Sequence, residues 1–89
     1  MAAFFRLNIV LPSKSVYDGN IESLVVPAEL GYMGILAHHT PIIARLNPGR
    51  IRLRDFLGKD AEFVSTGSGF LEFSENRATL MLDSIEMPA

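Results

Sequence analysis

The chain has no cysteine, so neither a disulfide nor a thiolate metal site can add to its stability. No apolar run approaches the roughly 20 residues needed to cross a bilayer as a helix. The N-terminus has no basic segment followed by an apolar core, so no signal peptide is expected. A basic excess is also missing. The net charge is -2, which argues against a nucleic-acid partner, whose phosphates call for many Lys and Arg. No Gly-Lys-Ser/Thr triplet follows Gly31 or Gly34, so those glycines do not form a phosphate loop; a tight turn or close backbone approach is the better reading. Gly67-Ser68-Gly69 lacks the spacing of a nucleophile turn, and no helix pattern follows it. Glu72 and Glu75 have no cleft-forming layer around them and read as solvated. There is no internal repeat, low-complexity tract, interdomain linker or sustained 3.6-residue periodicity.

Short extended segments and turn residues remain. The 89 residues allow one domain, spanning 1–89. A domain this small hides only about 60–65% of the surface its unfolded chain exposes, so it is marginal alone. Yet Ala, Val, Ile, Leu, Met, Phe and Gly together exceed half the chain, above the usual ~45–50%. Either the core is unusually apolar or some apolar surface meets a partner.

Phe5, Leu7, Ile9 and Leu11 alternate with Phe4, Arg6, Asn8 and Val10, the period of a strand. Pro12-Ser13-Lys14 ends it. Ser15–Tyr17 is a short extended piece, Asp18-Gly19 a turn dipeptide, and Ile21–Pro27 the next strand. Leu24 and Val26 lie opposite Ile21, Ser23 and Val25, so this strand is apolar on both faces. Ala28–Gly31 is a loop, Tyr32–Leu36 is extended and His38–Pro41 is a corner, with Thr40 held extended by the following proline. Ile42–Leu46 is a strand. Asn47-Pro48-Gly49-Arg50 suits a type II turn. Ile51, Leu53 and Phe56 face one way, and Arg50, Arg52 and Arg54 form a stripe on the other: a solvated face that deters edge pairing, or a contact for an acidic partner. Leu57–Asp60 reverses the chain, and Gly67-Ser68-Gly69 bends or bulges the strand between Ala61 and Phe73. After a turn at Ser74–Asn76, Arg77–Leu82 alternates with Ala78, Leu80 and Leu82 on one face; Asp83–Ala89 trails off. Eight to ten short strands at this spacing predict an all-β, two-layer antiparallel sandwich or flattened barrel.

His38 and His39 are neighbours on an extended chain, so they point apart and cannot chelate one ion; structural or interface roles suit them better. Tyr32 and Met33 are residue types common at interfaces, or simply strand residues with one side chain in and one out. No nucleophile, base and orienting group can be assembled, which disfavours a hydrolase.

Several pieces, in this order, resemble one family. Leu7-Asn8-Ile9-Val10, Val16-Tyr17-Asp18-Gly19 and Ile21-Glu22-Ser23-Leu24 look like its first strands. Gly34-Ile35-Leu36-Ala37-His38-His39-Thr40-Pro41-Ile42 resembles its "GILPGHAPL" signature, Leu46-Asn47-Pro48-Gly49 its "LKPG", and Gly67–Glu72 its "GGFLEV" strand. The family is the epsilon subunit of F-type, rotary, proton-driven ATP synthase, and the likeness is to its front β-sandwich domain. This chain has Ala37-His38 where the family commonly has Pro-Gly. It has Gly31-Tyr32-Met33-Gly34 for the familiar Gly-Glu-Leu-Gly, so the acidic residue of that loop is missing. His39 matches the family histidine and His38 is extra. The helical hairpin of typical members is not expected within these 89 residues, so its inhibition of ATP hydrolysis and its ATP binding are not carried over.

The resemblance implies a non-catalytic rotor part of the central stalk, coupling rotation of the c-ring to the gamma subunit during ATP synthesis. It implies no cofactor, no small-molecule substrate, and membrane association only through the complex, on the cytoplasmic face of the bacterial inner membrane or the stromal face of the plastid thylakoid. It places a c-ring contact at Glu29, Leu30, Gly31, Tyr32 and Met33. It places a gamma contact at Val10, His39, Thr40, Pro41, Ile42 and Ala44. The rival class is a stand-alone β-sandwich module that binds a ligand or peptide, which requires a preformed concave pocket; the sequence offers no convergent polar set for one.

Overall fold

Alternating side chains can bury a strand on one face only if a second layer covers it, and here the chain builds both layers. The computed structural model describes residues 3–86. They form nine strands: β1 (Phe5–Leu11), β2 (Lys14–Ala28), β3 (Gly31–Leu36), β4 (Ile42–Leu46), β5 (Gly49–Asp55), β6 (Asp60–Ser65), β7 (Gly69–Ser74), β8 (Arg77–Leu82) and β9 (Ile85–Glu86). One layer is β1-β8-β7-β4; the other is β3, the second half of β2, β5, β6 and β9. Pairing is antiparallel except between β1 and β8, which run parallel. The all-β sandwich expected from the sequence is the fold observed.

β2 joins the layers. Its first half pairs with β1 and its second half with β3 and β5, and the β2–β5 register shifts between Ile21 and Ser23. The shift changes the inward parity of β2, so Ile21, Leu24 and Val26 are all buried. This corrects the opposition read for Ile21 against Leu24 and Val26. It also corrects the turn read at Asp18-Gly19, which lies inside β2; the turn is at Pro12-Ser13. Asp18 is held there by the adjacent strand, where Arg6 Nε donates to its carboxylate at 2.7 Å.

Two other glycine segments change layers rather than turn within one. β4 and β5 do not pair with each other, so Asn47-Pro48 is a crossover, not the central part of a type II turn. Asn47 N–H instead donates to Pro27 C=O at 2.8 Å. Gly67-Ser68 carries the chain from β6, which pairs with β5 and β9, to β7, which pairs with β4 and β8; it is not a bulge in one strand. A Cβ at Gly69 would lie 2.4 Å from the Met81 carbonyl oxygen, so only glycine lets β7 start against β8. Phe56 sits exposed in the β5–β6 turn rather than with Ile51 and Leu53, because the strand ends at Asp55. β9 was hidden in the expected tail; what lies beyond Glu86 falls outside the described residues.

The core runs through both layers: Phe5, Leu7 and Ile9 of β1, Leu71 and Phe73 of β7, and Ala78, Leu80 and Leu82 of β8 face Leu24, Val26, Ile35, Ile51, Leu53 and Phe63. Phe5 and Phe73 meet edge to face at 5.6 Å, the geometry ring quadrupoles favour. Asn76, at φ 58 in the β7–β8 turn, accepts from His38 N–H at 2.7 Å and donates to Phe4 C=O at 2.9 Å. One side chain therefore ties the start of β1 to the corner before β4. It also holds His38 at φ 64, a left-handed conformation that costs a non-glycine residue roughly 1–2 kcal/mol.

The arginine stripe resolves into cross-strand pairs. Arg50 and Arg52 share Glu62 at 3.3 and 3.0 Å, and Arg54 meets Asp60 at 2.9 Å, across the β5–β6 ladder. Hydrogen bonds from Arg6 and Arg54 hold the Asp18 and Asp60 carboxyls below their ordinary range.

Replacing Gly69 with Ala will destabilise the domain by about 1–3 kcal/mol, the cost of overpacking a close backbone contact, read as a lower urea midpoint at unchanged slope. The carboxylates define an acid response. Their folded pKa lies below the unfolded value, so their contribution is present above the unfolded pKa and disappears as pH falls through the folded one. The double variant Arg6→Gln, Arg54→Gln will therefore lose melting temperature less steeply than the parent on acidification below about pH 4; parallel profiles would refute this assignment.

Candidate interaction surface

Two features of the strand pattern decide what reaches the surface. Inward side chains of β1, β7, β8 and β4 fill the core, and outward ones form rows across the layer. One row reads Val10, Met81, Phe70, Arg45 through the registers of β1–β8, β8–β7 and β7–β4. Phe70 and Met81 are 45% and 43% exposed, and the Arg45 guanidinium lies 5.5 Å from the Phe70 ring centroid. A shallow hollow of about 260 Å³ beside them is lined by Val10, Leu11, Pro12, Ser68, Phe70 and Met81, among others. In the next row of the same outer face, Ile43 is 73% exposed.

Of the residues expected at a gamma contact, Val10 therefore lies in an outward apolar row. Ile42 and Ala44 do not share that face; they are half-buried and pack on the core. Leu46 is buried, and residues two and four positions before it must point the same way, so the outward isoleucine is Ile43. That parity was available in the sequence. His39 packs its ring edge-on against Phe73 at 5.7 Å. Its Nδ1 stands 2.7 Å from the Thr40 carbonyl oxygen, which can only accept, so Nδ1 carries the proton. Thr40 and Pro41 are exposed at the corner. Among the described residues, no three metal-ligating side chains come together.

The second set lies on the β2–β3 hairpin. Glu29 and Leu30 form its tip, closed by the Ala28–Gly31 pair, and Leu30 is almost fully exposed. Gly31 has φ 134, outside the usual range of other residues. Tyr32 and Met33 point to opposite sides. Met33 packs on the core, while Tyr32 lies on the outer face, covering Pro27 and accepting a hydrogen bond from Arg50 N–H at 3.3 Å. The Tyr32 hydroxyl would come within 3.1 Å of a Cβ at Gly49, which explains that glycine without a turn. The five expected c-ring residues thus form a tip and two strand faces. Leu36, 65% exposed at the far end of β3, extends the apolar surface beyond them, as do Phe70 and Met81 beyond Val10; the sequence reading missed all three.

The hollows are open and shallow, and no helix among the described residues is long and apolar enough to cross a membrane. What the described surface presents is apolar rows, a free strand edge and a few paired charges.

Known proteins share this fold and sequence pattern. Residues 4–88 match the family model for the ATP synthase delta/epsilon chain beta-sandwich domain. The chain is 40% identical over 83 residues to ATP synthase epsilon chain 1 of Thiobacillus denitrificans, covering 93% of this chain and 59% of the relative. It is 36% identical over 84 residues to the epsilon chain of Alkalihalophilus pseudofirmus, covering 94% and 62%. It thus spans about three fifths of the length of these relatives. A chain in the Euglena gracilis mitochondrial ATP synthase structure shares the fold, with a TM-score of 0.88 at 19% identity over 94% of this chain and 53% of its own length. One in the central stalk and c-ring structure of Tetrahymena thermophila mitochondrial ATP synthase has a TM-score of 0.75 at 13% identity, over 92% and 65%. On the match across residues 4–88, this chain belongs to the family of the ATP synthase delta/epsilon chain beta-sandwich domain.

Proposed function

We propose that this chain is a non-catalytic rotor component of an F-type ATP synthase, carrying torque between the c-ring and the gamma subunit. Residues 1–89 act as one sandwich in this reading. The observation that carries it is the outward apolar surface on a domain of this family: Ile43, Phe70, Met81, Leu30, Tyr32 and Leu36 are all substantially exposed. Covering such side chains is worth about 25 cal/mol per Å² of apolar area, enough over a few residues to stabilise a marginal domain.

The geometry supports two contacts in this reading. The hairpin from Glu29 to Met33 projects from one end and meets the polar loops of the c-ring through its tip. The corner His39–Pro41, the strand Ile42–Ala44 and the row containing Val10 receive gamma, with Ile43 rather than Ile42 supplying the anchor on the outer face. Interfaces of permanent complexes bury roughly 2,000 Å² or more in total. The body between the two contacts is a close-packed interior, which compresses little and so passes strain on rather than absorbing it. Attachment to the membrane is through the complex, on the cytoplasmic face of the bacterial inner membrane; the bacterial relatives favour this over the thylakoid.

Copurification with a tagged gamma subunit tests the reading, and failure to bind either gamma or the c-ring at micromolar concentration would overturn it. Ile43→Asp will weaken gamma binding by about tenfold or more, as expected for an anchor side chain, while leaving the melting temperature close to that of the parent. An unchanged affinity in the folded variant would remove Ile43 from the interface.

A further inference from the structure

The β3 edge lacks the usual protection against pairing. β3 bonds to β2 alone, and its register is constant over all six residues, so no bulge twists it away. The Ala28–Gly31 pair closes the hairpin; Gly31, Met33 and Ile35 therefore turn their backbone groups to β2, and Tyr32, Gly34 and Leu36 turn theirs outward. The phase is independently set on the other side of β2, where Glu29 N–H donates to Arg45 C=O and Pro27 C=O accepts from Asn47. Of the outward groups, the Leu36 carbonyl already accepts from His39 N–H at 3.2 Å. Both groups of Tyr32 and Gly34 and the Leu36 N–H remain open to a partner strand. Edge strands are commonly guarded by charge, proline or a bulge. Gly-Tyr-Met-Gly-Ile-Leu has none of these.

Gly34 is the second observation. Unlike Gly69, it has open space where a Cβ would stand, and unlike Gly31 it does not occupy a positive φ. Nothing inside the protomer requires glycine there. On the outer face, Tyr32 and Leu36, 63% and 65% exposed, flank it symmetrically. Tyr32-x-Gly34-x-Leu36 therefore has a large apolar residue on either side of a glycine whether read forwards or backwards.

We propose that two copies of this chain pair antiparallel through their β3 edges, about a two-fold axis at Gly34. Tyr32 of one copy then lies opposite Leu36 of the other, and the two glycines meet where side chains would otherwise crowd. The interface is isologous, so every contact occurs twice. In this register the hairpin tip of one copy comes beside the other's corner at His38-His39. By register Glu29, which has Arg45 at 3.6 Å within its own protomer, comes opposite His39 along the paired chains rather than opposite a carboxylate. The self-complementary pattern is what selects a second copy over an arbitrary extended peptide. The dimer is a state of the free chain, because it covers Tyr32 and the hairpin tip that the proposed c-ring contact also uses; its test does not depend on that reading.

Sedimentation equilibrium of the full chain over roughly a hundredfold concentration range will show a monomer–dimer equilibrium. Leu36→Lys, at an exposed site, will weaken dimerisation at least tenfold with unchanged circular dichroism and melting temperature. The chain has no native cysteine, so Gly34→Cys gives a clean readout: a hydrogen-bonded antiparallel pair sets the Cα atoms about 5.5 Å apart, within disulfide reach, and mild oxidation will give a covalent dimer. The exposed control Ile43→Cys will not cross-link at that rate. A parent that stays monomeric throughout, a dimer indifferent to Leu36→Lys, equal cross-linking by the control, or a monomer that captures only unrelated extended peptides would each overturn it.

Discussion

The rest of the architecture depends on β2 changing layers without exposing its apolar side chains. A strand with strict period two can face only one core side. β2 must face the β1–β8–β7–β4 layer's partner space along its first half and the β5–β6 layer's along its second, and the shift between Ile21 and Ser23 lets it do both. Without that irregularity, Ile21 or the Leu24–Val26 pair would turn to solvent. The crossovers at Asn47-Pro48 and Gly67-Ser68, like those from β3 to β4 and from β8 to β9, then have their end points set, because each must leave one layer and reach the other.

This constraint explains where the sequence was readable. β4 at Ile42–Leu46 and β8 at Arg77–Leu82 have the boundaries their patterns predict, because each stays in one layer and alternates cleanly. Leu80 and Leu82 face the core for the same reason. The misread stretches are those where turn residues sit inside long-range pairing. Asp18-Gly19 has turn chemistry, but the ladder to β1 and the Arg6 bond keep the strand running through it. Gly49 has the composition of a turn, yet its glycine answers to Tyr32 and Pro27, residues distant in the chain. Local propensity loses wherever a neighbour strand supplies the missing hydrogen bonds.

The outward apolar surface was legible in part. Val10 and Leu30 lie on it, whereas Ile42 and Ala44 turn inward. Rows such as Val10–Met81–Phe70 combine three strands far apart in sequence, and no single-strand pattern can show that they adjoin. Their neighbour Ile43 was hidden by an error of one position, which in a strand is the whole difference between inside and outside. On the opposite layer the outward arginines are paired with Glu62 and Asp60 across the β5–β6 ladder.

The parallel seam of β1 with β8 has a consequence for synthesis. β1 cannot gain its second neighbour until β8 has left the ribosome. Until then one backbone edge of β1, with Leu7 and Ile9 beside it, waits in an unfinished chain. Contacts this distant in sequence slow folding, because the intervening loop must close before they can form. Nascent chains of this protein will therefore present a sticky ribbon at β1 until β8 has emerged.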